Sequence, residues 1–275
     1  MQGVPEQFES PRDAAQFLHP PHRPGVELYR AHIVRHAFDP HTHEAFGLGA
    51  IESGAERFRY AGADHLASAG SLVLMNPEAL HTGRAETEDG WRYRMIYLDR
   101  VALEEITGES GWWFADAVCP DPTRASRVTA LLDALWHARA EPLAFDGLLL
   151  QLLETLREHA HVGRPEGAER TQRFGGVIDY LHAHLDQRVS LESLAAVAGL
   201  SPFHFLRRFR DQYHVTPQQM LMALRVHDAK RRLGAGESPA DVAAATGMAD
   251  QAHLTRAFAR RYGVTPARYQ RQVRG

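Results

Sequence analysis

The stretch that decides the fold is GLSPFHFLRRF, residues 199–209, together with its near-repeat GMADQAHLTRAF, residues 247–258. In each copy a glycine follows a short Ala-rich segment, and a second, arginine-bearing segment follows the glycine. Gly199 and Gly247 are 48 positions apart, and Phe209 and Phe258 are 49 apart. Repetition at a fixed spacing indicates one structural unit used twice.

Both copies predict a helix, a tight glycine turn and a second helix. Ser201 and Pro202 form a preferred N-terminal pair in the first copy, and Asp250 can cap the helix in the second. Each copy closes on Val-Thr-Pro, and the uninterrupted segment 220–233 predicts one helix that joins them. Paired units of this kind are typical of proteins that place the second helix in the major groove of DNA.

Helical spacing divides the second helix of each copy into two faces. The expected core face carries Phe205, Phe209 and Tyr213, then Leu254, Phe258 and Tyr262. The outward face carries Phe203, Leu206, Arg207 and Arg210, then Gln251, Thr255, Arg256 and Arg260. Arginine can bond guanine, glutamine can bond adenine, and an apolar side chain can meet a thymine methyl. Five cations are expected either to contact the DNA backbone or simply to be solvated. They are Arg210, Lys230, Arg231, Arg260 and Arg261.

Residues 173–275 resemble the double helix-turn-helix domain of AraC/XylS-type transcriptional regulators. The matching phrases are AGLSPFHFLRRF, VTPQQMLMALRVHDAKRRL and GMADQAHLTRAFARRYGVTPARYQR. The resemblance implies that two recognition helices enter successive major-groove segments, with base-reading residues Phe203, Leu206, Arg207, Gln251, Thr255 and Arg256. One departure is His214, where the family usually has the glycine seen at Gly263, and a left-handed backbone there would be strained.

Charge is distributed unevenly along the 275 residues. Residues 1–172 hold 16 Lys and Arg against 26 Asp and Glu, a balance of −10. Residues 173–275 hold 15 against 8, a balance of +7. Such asymmetry indicates that the basic half meets a polyanion, here double-stranded DNA.

The first half predicts a different fold. Residues 26–98 contain short β-type segments separated by glycine-marked turns, which favours a small barrel or sandwich. Residues 123–139 and 143–160 predict a helix pair with broad leucine stripes, and Gly/Pro-bearing residues 161–172 predict a linker. The expected fold class is therefore α+β with two domains: residues 1–160, a β-barrel (about 26–98) with a helix pair (about 100–160), and residues 173–275, all-α.

The phrases HTHEAFGLGAIESG (41–54), AGSLVLMNPEALH (69–81) and WRYRMIYLD (91–99) resemble the cupin-like sensor domain common in this family. The resemblance implies a barrel that binds a small-molecule effector, with following helices that mediate dimerisation. Candidate effector-binding residues are His41, His43, His81, Trp91 and Tyr93.

A metal site is an alternative interpretation of the same histidines. Enzymes on this fold use an HxH pair, a carboxylate and a distant histidine, and His41, His43 and His81 could supply three of these ligands. Glu44 or Glu52 would have to supply the carboxylate, because Gly47 and Leu48 stand where the enzyme motif expects it. The alternatives are effector hydrogen bonding and ordinary strand-edge histidines, which we favour over a metal site, so we expect no cofactor.

The leading hypothesis is a sequence-specific, DNA-binding transcription regulator, not an enzyme, that is controlled by a small molecule and forms a homodimer. The alternatives are a metal-dependent cupin enzyme with a DNA-binding appendage and a barrel that serves only for dimerisation. RNA polymerase is an expected partner if the protein is an activator. The lone Cys119, the N-terminus without a signal-peptide pattern and the short apolar runs predict a soluble cytoplasmic protein without membrane contact.

Overall fold

The computed structural model describes residues 10–163 and 174–274 of the chain. We call residues 10–163 the N-terminal domain and residues 174–274 the C-terminal domain. The predicted linker, 161–172, lies outside the described residues except for its first three positions. None of the described helices is long and apolar enough to cross a lipid bilayer.

The N-terminal domain is built on a nine-stranded sheet in which β1, β2, β8, β4, β6 and β10 are neighbours in that order. β5 and β7 each pair with β4, β3 pairs with β7, and β9 pairs with β11 separately. The strands are β1 Ala14–Leu18, β2 Val26–Ile33, β3 Ala37–His41, β4 Ala45–Tyr60, β5 Ala63–Ser68, β6 Ser71–Met75, β7 His81–Ala85, β8 Trp91–Asp99, β9 Trp112–Phe114, β10 Val118–Pro120 and β11 Ala160–Val162. The sheet thus extends on both sides of the predicted interval 26–98.

β4 belongs to two parts of the sheet because it bends. Its first half pairs with β8, and its second half, from Ala55 to Tyr60, pairs with β5. The register shifts between Ile51 and Ser53, and Gly54 follows with a φ of +73°, which a residue with a side chain rarely adopts. The bend lets one strand line two walls of the interior.

Three helices cover the outer face of the sheet: α1 Arg100–Thr107, α2 Pro122–His137 and α3 Pro142–Leu156. Asp121 caps α2 by accepting a hydrogen bond from the backbone N–H of Arg124 at 2.9 Å. The leucine stripes of α2 and α3 pack into one core with Leu48 and Leu98 of the sheet. This confirms that the apolar face predicted for each helix is buried.

The C-terminal domain is all-helical, as predicted. Its helices are α4 Gly175–Ala183, α5 Leu191–Val197, α6 Pro202–Tyr213, α7 Pro217–Ala235, α8 Pro239–Ala245, α9 Gln251–Tyr262 and α10 Pro266–Arg274. The predicted caps are confirmed, because Ser201 caps α6 and Asp250 caps α9; Thr216 in addition caps α7. α5 and α6 form the first helix-turn-helix, α8 and α9 form the second, and α7 joins them.

The two helix-turn-helix units have different cores. The first closes its own core around Phe205 and Phe209. The second shares a continuous core with the interior of the sheet, in which Phe258 and Tyr262 are clustered with Phe17. The C-terminal domain is therefore attached to the N-terminal domain through α9 of the second copy and through the flanking helices α7 and α10.

His214 ends α6 in the left-handed conformation, with φ +59°, as Gly263 ends α9 with φ +70°. Its ring also lies against the β4–β5 turn, so closely that a Cβ on Gly62 would overlap the imidazole. His214 therefore has the expected backbone strain and also makes a contact between the domains.

We expect His214→Gly to raise the free energy of unfolding by about 1 kcal/mol, because a Cβ in the left-handed region costs about 1–2 kcal/mol. Gly263→Ala, the reciprocal change in the second copy, should lower it by a similar amount. Urea unfolding followed by circular dichroism measures both. Destabilisation by His214→Gly would show that the ring contact with Gly62 outweighs the backbone strain.

Candidate functional site

The second helix of each helix-turn-helix unit presents its predicted outward face to solvent. Four of the six base-reading candidates are exposed, namely Phe203, Arg207, Gln251 and Arg256. Leu206 and Thr255 are half-buried, and the Thr255 hydroxyl donates a hydrogen bond to the carbonyl oxygen of Gln251 at 2.8 Å. Phe203 is 73% exposed, which is costly for an aromatic ring unless a partner covers it.

The five predicted DNA-backbone cations occupy two different environments. Arg210, Arg231 and Arg260 are exposed. The prediction is wrong for Lys230 and Arg261, which are only 7% and 6% exposed. Both point away from the outward face and contact the N-terminal domain, so neither can reach a phosphate in this arrangement.

Lys230 forms the centre of the contact between the domains. Its Nζ lies 2.5 Å from Glu27 Oε1 on β2, and the rings of Phe17, Tyr262 and Tyr269 surround the ammonium with centroids 4.8–5.5 Å away. Burial by itself raises the pKa of Glu27, but the charges and hydrogen bonds of Lys230 and His19 outweigh it and lower that pKa to about 2. The carboxylate is therefore ionised and paired at every physiological pH.

Four further hydrogen bonds surround this pair, and three of them join the two domains. Glu27 Oε2 accepts hydrogen bonds from the Tyr269 hydroxyl at 3.0 Å and from His19 Nε2 at 2.8 Å. The amide of Gln272 accepts from the backbone N–H of Phe17 and donates to the carbonyl oxygen of Ala15, so α10 covers the free edge of β1.

Helices α7 and α9 add contacts near β3. His227 Nδ1 lies 3.4 Å from Glu44 Oε1, and Arg261 Nε donates to the carbonyl oxygen of Pro40 at 3.1 Å. Arg261 also lies 3.9 Å from the Asp39 carboxylate. The helix that carries Gln251 and Arg256 is thus held against the sheet by its C-terminal turn.

A cavity of about 40 Å³ lies inside the sheet, directly beneath this turn. Its walls come from both domains and include His41, His43, Glu56, His81, Tyr93, Arg261 and Tyr262. Since one water occupies roughly 10–15 Å³ by this kind of measure, the cavity holds a few water-sized groups. A larger effector would require the domains to separate or the walls to move.

Glu56 faces the cavity with a buried carboxyl group. Burial raises its pKa to about 8, so the group is mostly neutral near pH 7. Gly83 provides the space for it, because a Cβ there would collide with the Glu56 carboxyl.

His41, His43 and His81 come together at the same cavity. One ring nitrogen from each lies within 4.8 Å of the others, and the rings of His41 and His81 are 4.2 Å apart at their centroids. Burial lowers the pKa of all three, that of His81 to about 4, so they are neutral imidazoles. The donor set therefore fits a transition-metal cation.

The remaining sequence candidates have other roles. Tyr93 lines the cavity, but Trp91 is fully buried behind it, with the two rings stacked at 5.5 Å, so the prediction of an effector contact for Trp91 is wrong. Glu44 pairs with His227 and Glu52 with Arg94, so neither carboxylate joins the histidines.

Comparisons with known proteins agree with this architecture. Residues 23–153 match the model of the AraC-like ligand binding domain, and residues 194–272 match a helix-turn-helix domain. The uncharacterized HTH-type transcriptional regulator YbfI of Bacillus subtilis is 30% identical over 243 residues, which cover 83% of this chain and 86% of YbfI. The chain belongs to the AraC/XylS family of transcriptional regulators.

Two further comparisons agree with this assignment. YobQ, an uncharacterized HTH-type transcriptional regulator of Bacillus subtilis, is 31% identical over 224 residues, which cover 77% of this chain and 83% of YobQ. The crystal structure of unsaturated fatty acid-bound ToxT from Vibrio cholerae superimposes with a TM-score of 0.54, at 9% identity, over 95% of this chain and 97% of ToxT. The latter likeness shows a shared two-domain fold.

This AraC/XylS-family chain is therefore a transcription regulator that joins a ligand-binding domain to a DNA-binding domain. The comparisons do not support the alternative of a metal-dependent enzyme. Sequence reasoning missed the roles of Glu27 and Glu56, each a lone carboxylate in an otherwise apolar strand face. It assigned Tyr262 to the helix core, although the ring also forms part of the cavity wall.

We expect Lys230→Met to destabilise the protein by about 3–5 kcal/mol, because it leaves the Glu27 carboxylate buried without its cation. Arg231→Met is the matched control. It removes the neighbouring, exposed cation, and its loss should cost at most about 1 kcal/mol. Urea unfolding of the full chain measures the difference.

The pH dependence gives a second readout of the same pair. A carboxyl group whose pKa is lowered from 4.5 to about 2 stabilises the fold above pH 4.5, and that stabilisation is lost as the pH falls towards 2. The Lys230→Met variant should lose most of this acid sensitivity. If Lys230→Met and Arg231→Met were equally stable at pH 7, the pair of Lys230 and Glu27 would not hold the domains together.

Proposed function

We propose that α6 and α9 read two successive segments of double-stranded DNA and that the content of the cavity controls this reading. The observation that carries the proposal is the position of α9. Its N-terminal half exposes Gln251 and Arg256, while its last two residues, Arg261 and Tyr262, form part of the cavity wall. One rigid helix of 12 residues therefore links effector and operator.

Base contacts are proposed for Phe203, Leu206 and Arg207 on α6, and for Gln251, Thr255 and Arg256 on α9. The exposed Phe203 ring suits a thymine methyl, and the two arginines suit the O6 and N7 acceptors of guanine. Gln251 suits the N7 and N6 groups of adenine. Because the two sets differ, the proposed DNA half-site is asymmetric.

Phosphate contacts are proposed for Arg210, Arg231 and Arg260, the exposed members of the predicted set. Contacts of this type fix the position of the protein on DNA without reading its sequence. Each phosphate that an arginine neutralises releases counterions from the DNA, so binding should weaken steeply as the salt concentration rises.

A small molecule is the proposed effector, and His41, His43, His81 and Tyr93 are its proposed contacts. ToxT, which has the same fold, has been crystallised with an unsaturated fatty acid. A ligand that binds better when α9 is released, or when it is docked, would shift the equilibrium between these two arrangements. That shift is the proposed means of control.

A homodimer is proposed through α3. Its inner face is buried, whereas Leu143 is 89% exposed and Leu150 is 44% exposed on the same outer stripe, with Gly147 between them. An exposed apolar stripe of this spacing suits a second copy of the helix. We also propose action in the cytoplasm, where the DNA is, and contact with RNA polymerase if the protein activates transcription.

We expect Arg207→Ala and Arg256→Ala each to weaken binding to the cognate operator by about 1–3 kcal/mol and to relax base preference locally. Arg260→Ala should weaken binding to all sequences alike and reduce the salt slope by about 1. Fluorescence anisotropy on operators selected from genomic fragments measures both effects.

The control is Arg127→Ala, which removes an exposed arginine from α2 of the N-terminal domain and should leave affinity unchanged. Operator affinity that is unaltered in both the Arg207 and Arg256 variants would refute the assignment of the reading helices.

The double change of Leu143 and Leu150 to lysine should convert a dimer into a monomer, because it buries charge at the proposed contact. Ala144→Lys, an exposed position about a quarter turn away on α3, is the control and should remain dimeric. Light scattering coupled to gel filtration measures the mass. A dimer that survives the double change would place the interface elsewhere.

A further inference from the structure

We propose that His41, His43 and His81 form a binding site for one divalent transition-metal cation of the zinc class, beneath the turn of α9 that docks on the N-terminal domain. The proposal does not depend on how DNA is read. It rests on the geometry of three side chains and on the groups that hold them.

The three rings are already assembled by the sheet. His41 ends β3, His81 begins β7, and the two residues are paired across these strands. His43 follows two residues after His41, with its centroid 5.2 Å from each of the other rings. Nitrogen ligands of a tetrahedral zinc at 2.0–2.1 Å are about 3.4 Å apart, so nitrogens now within 4.8 Å need to close by at most about 1.4 Å.

Two of the rings are fixed in the tautomer that a metal needs. His41 Nδ1 is 2.9 Å from the carbonyl oxygen of Asp39, and His81 Nδ1 is 3.0 Å from the carbonyl oxygen of Ala79. A carbonyl only accepts, so each Nδ1 carries the proton and each Nε2 presents a bare lone pair. This outer-shell arrangement is typical of metal-ligating histidines.

The third ring supplies the observation that points to a missing ligand. His43 Nε2 is completely buried, and no group within residues 10–163 and 174–274 bonds to it. A buried ring nitrogen without a partner loses the hydrogen bond that water would give it, which costs about 1–3 kcal/mol. The hydroxyl of Tyr262 is in the same condition, and its ring centroid lies 6.1 Å from that of His43.

The charges near the site allow a cation. Lys230 and Arg261 are close enough to affect the rings, but Glu27 neutralises the first and Asp39 lies 3.9 Å from the second. Glu56 adds a carboxyl group on the wall of the same cavity. The local charge is therefore close to balanced before a cation enters.

The donor chemistry selects the class of cation. Neutral imidazoles suit zinc and its transition-metal neighbours, whereas magnesium and calcium prefer oxygen ligands. Three protein ligands leave one position open on a four-coordinate ion. The cavity of about 40 Å³ has room for the ion and a small exogenous ligand, which makes a metal a better occupant of the closed form than a larger organic molecule.

The test uses the full chain without a polyhistidine tag. The protein is equilibrated with Zn²⁺ or with Mg²⁺, passed through a gel-filtration column, and analysed for metal by plasma mass spectrometry. We expect about one zinc per chain and no retained magnesium. X-ray absorption of the zinc-loaded wild type should show about three imidazole ligands, and this measurement needs no substitution.

His41→Gln and His81→Gln should each weaken zinc binding at least about tenfold, as even loss of an outer-shell partner does. His32→Gln is the control, since His32 is on β2, outside the cavity, and its ring bonds the carbonyl oxygen of Asp89. It should bind zinc like the wild type. Circular dichroism establishes that each variant is folded.

Three results would overturn the proposal. One is loss of all zinc from the wild type on the column. Another is equal retention of zinc by the His41, His81 and His32 variants, which would mean adventitious binding elsewhere. The third is an X-ray absorption spectrum without imidazole scattering. None of these would bear on DNA binding, so the proposed function would stand or fall separately.

Discussion

The buried pair of Lys230 and Glu27 is the contact on which the arrangement of the two domains depends. Two charges removed from water are tolerated only when each is fully satisfied. Here the carboxylate also accepts from Tyr269 and His19, and aromatic rings surround the ammonium. Glu27 is on β2, whereas Lys230 is on α7 and Tyr269 on α10, so the pair forms only when both domains are in place. The two domains dock only where this pair can form, but the pair itself adds little net stability, because removing both charges from water offsets their attraction.

Docking gives the two reading helices unequal positions. α6 belongs to a unit with its own core, whereas α9 is part of a core that continues into the sheet. A change inside the N-terminal domain therefore reaches Arg256 through one packed helix, and reaches Arg207 through α7 and through the contact of His214 with the β4–β5 turn. The same turn of α9 that closes the cavity also fixes the orientation of the second reading surface.

Sequence patterns predicted the parts of the fold that depend on local periodicity and capping. The repeat, the caps at Ser201 and Asp250 and the burial of Phe205 and Phe258 follow from 3.6-residue spacing and turn chemistry. The buried ion pair between the domains could not be predicted in this way. Lys230 and Glu27 are 203 residues apart, and a lysine on a basic helix gives no local sign that it is buried.

The contact of Gln272 with β1 has a consequence for the synthesis of the chain. β1 is an edge strand of the sheet, and the side chain that covers its open backbone groups is synthesised 255 residues after Phe17. Until then the edge can pair with a strand of another nascent chain. A product truncated before α10 would keep this exposed edge, so α10 protects β1 from aggregation.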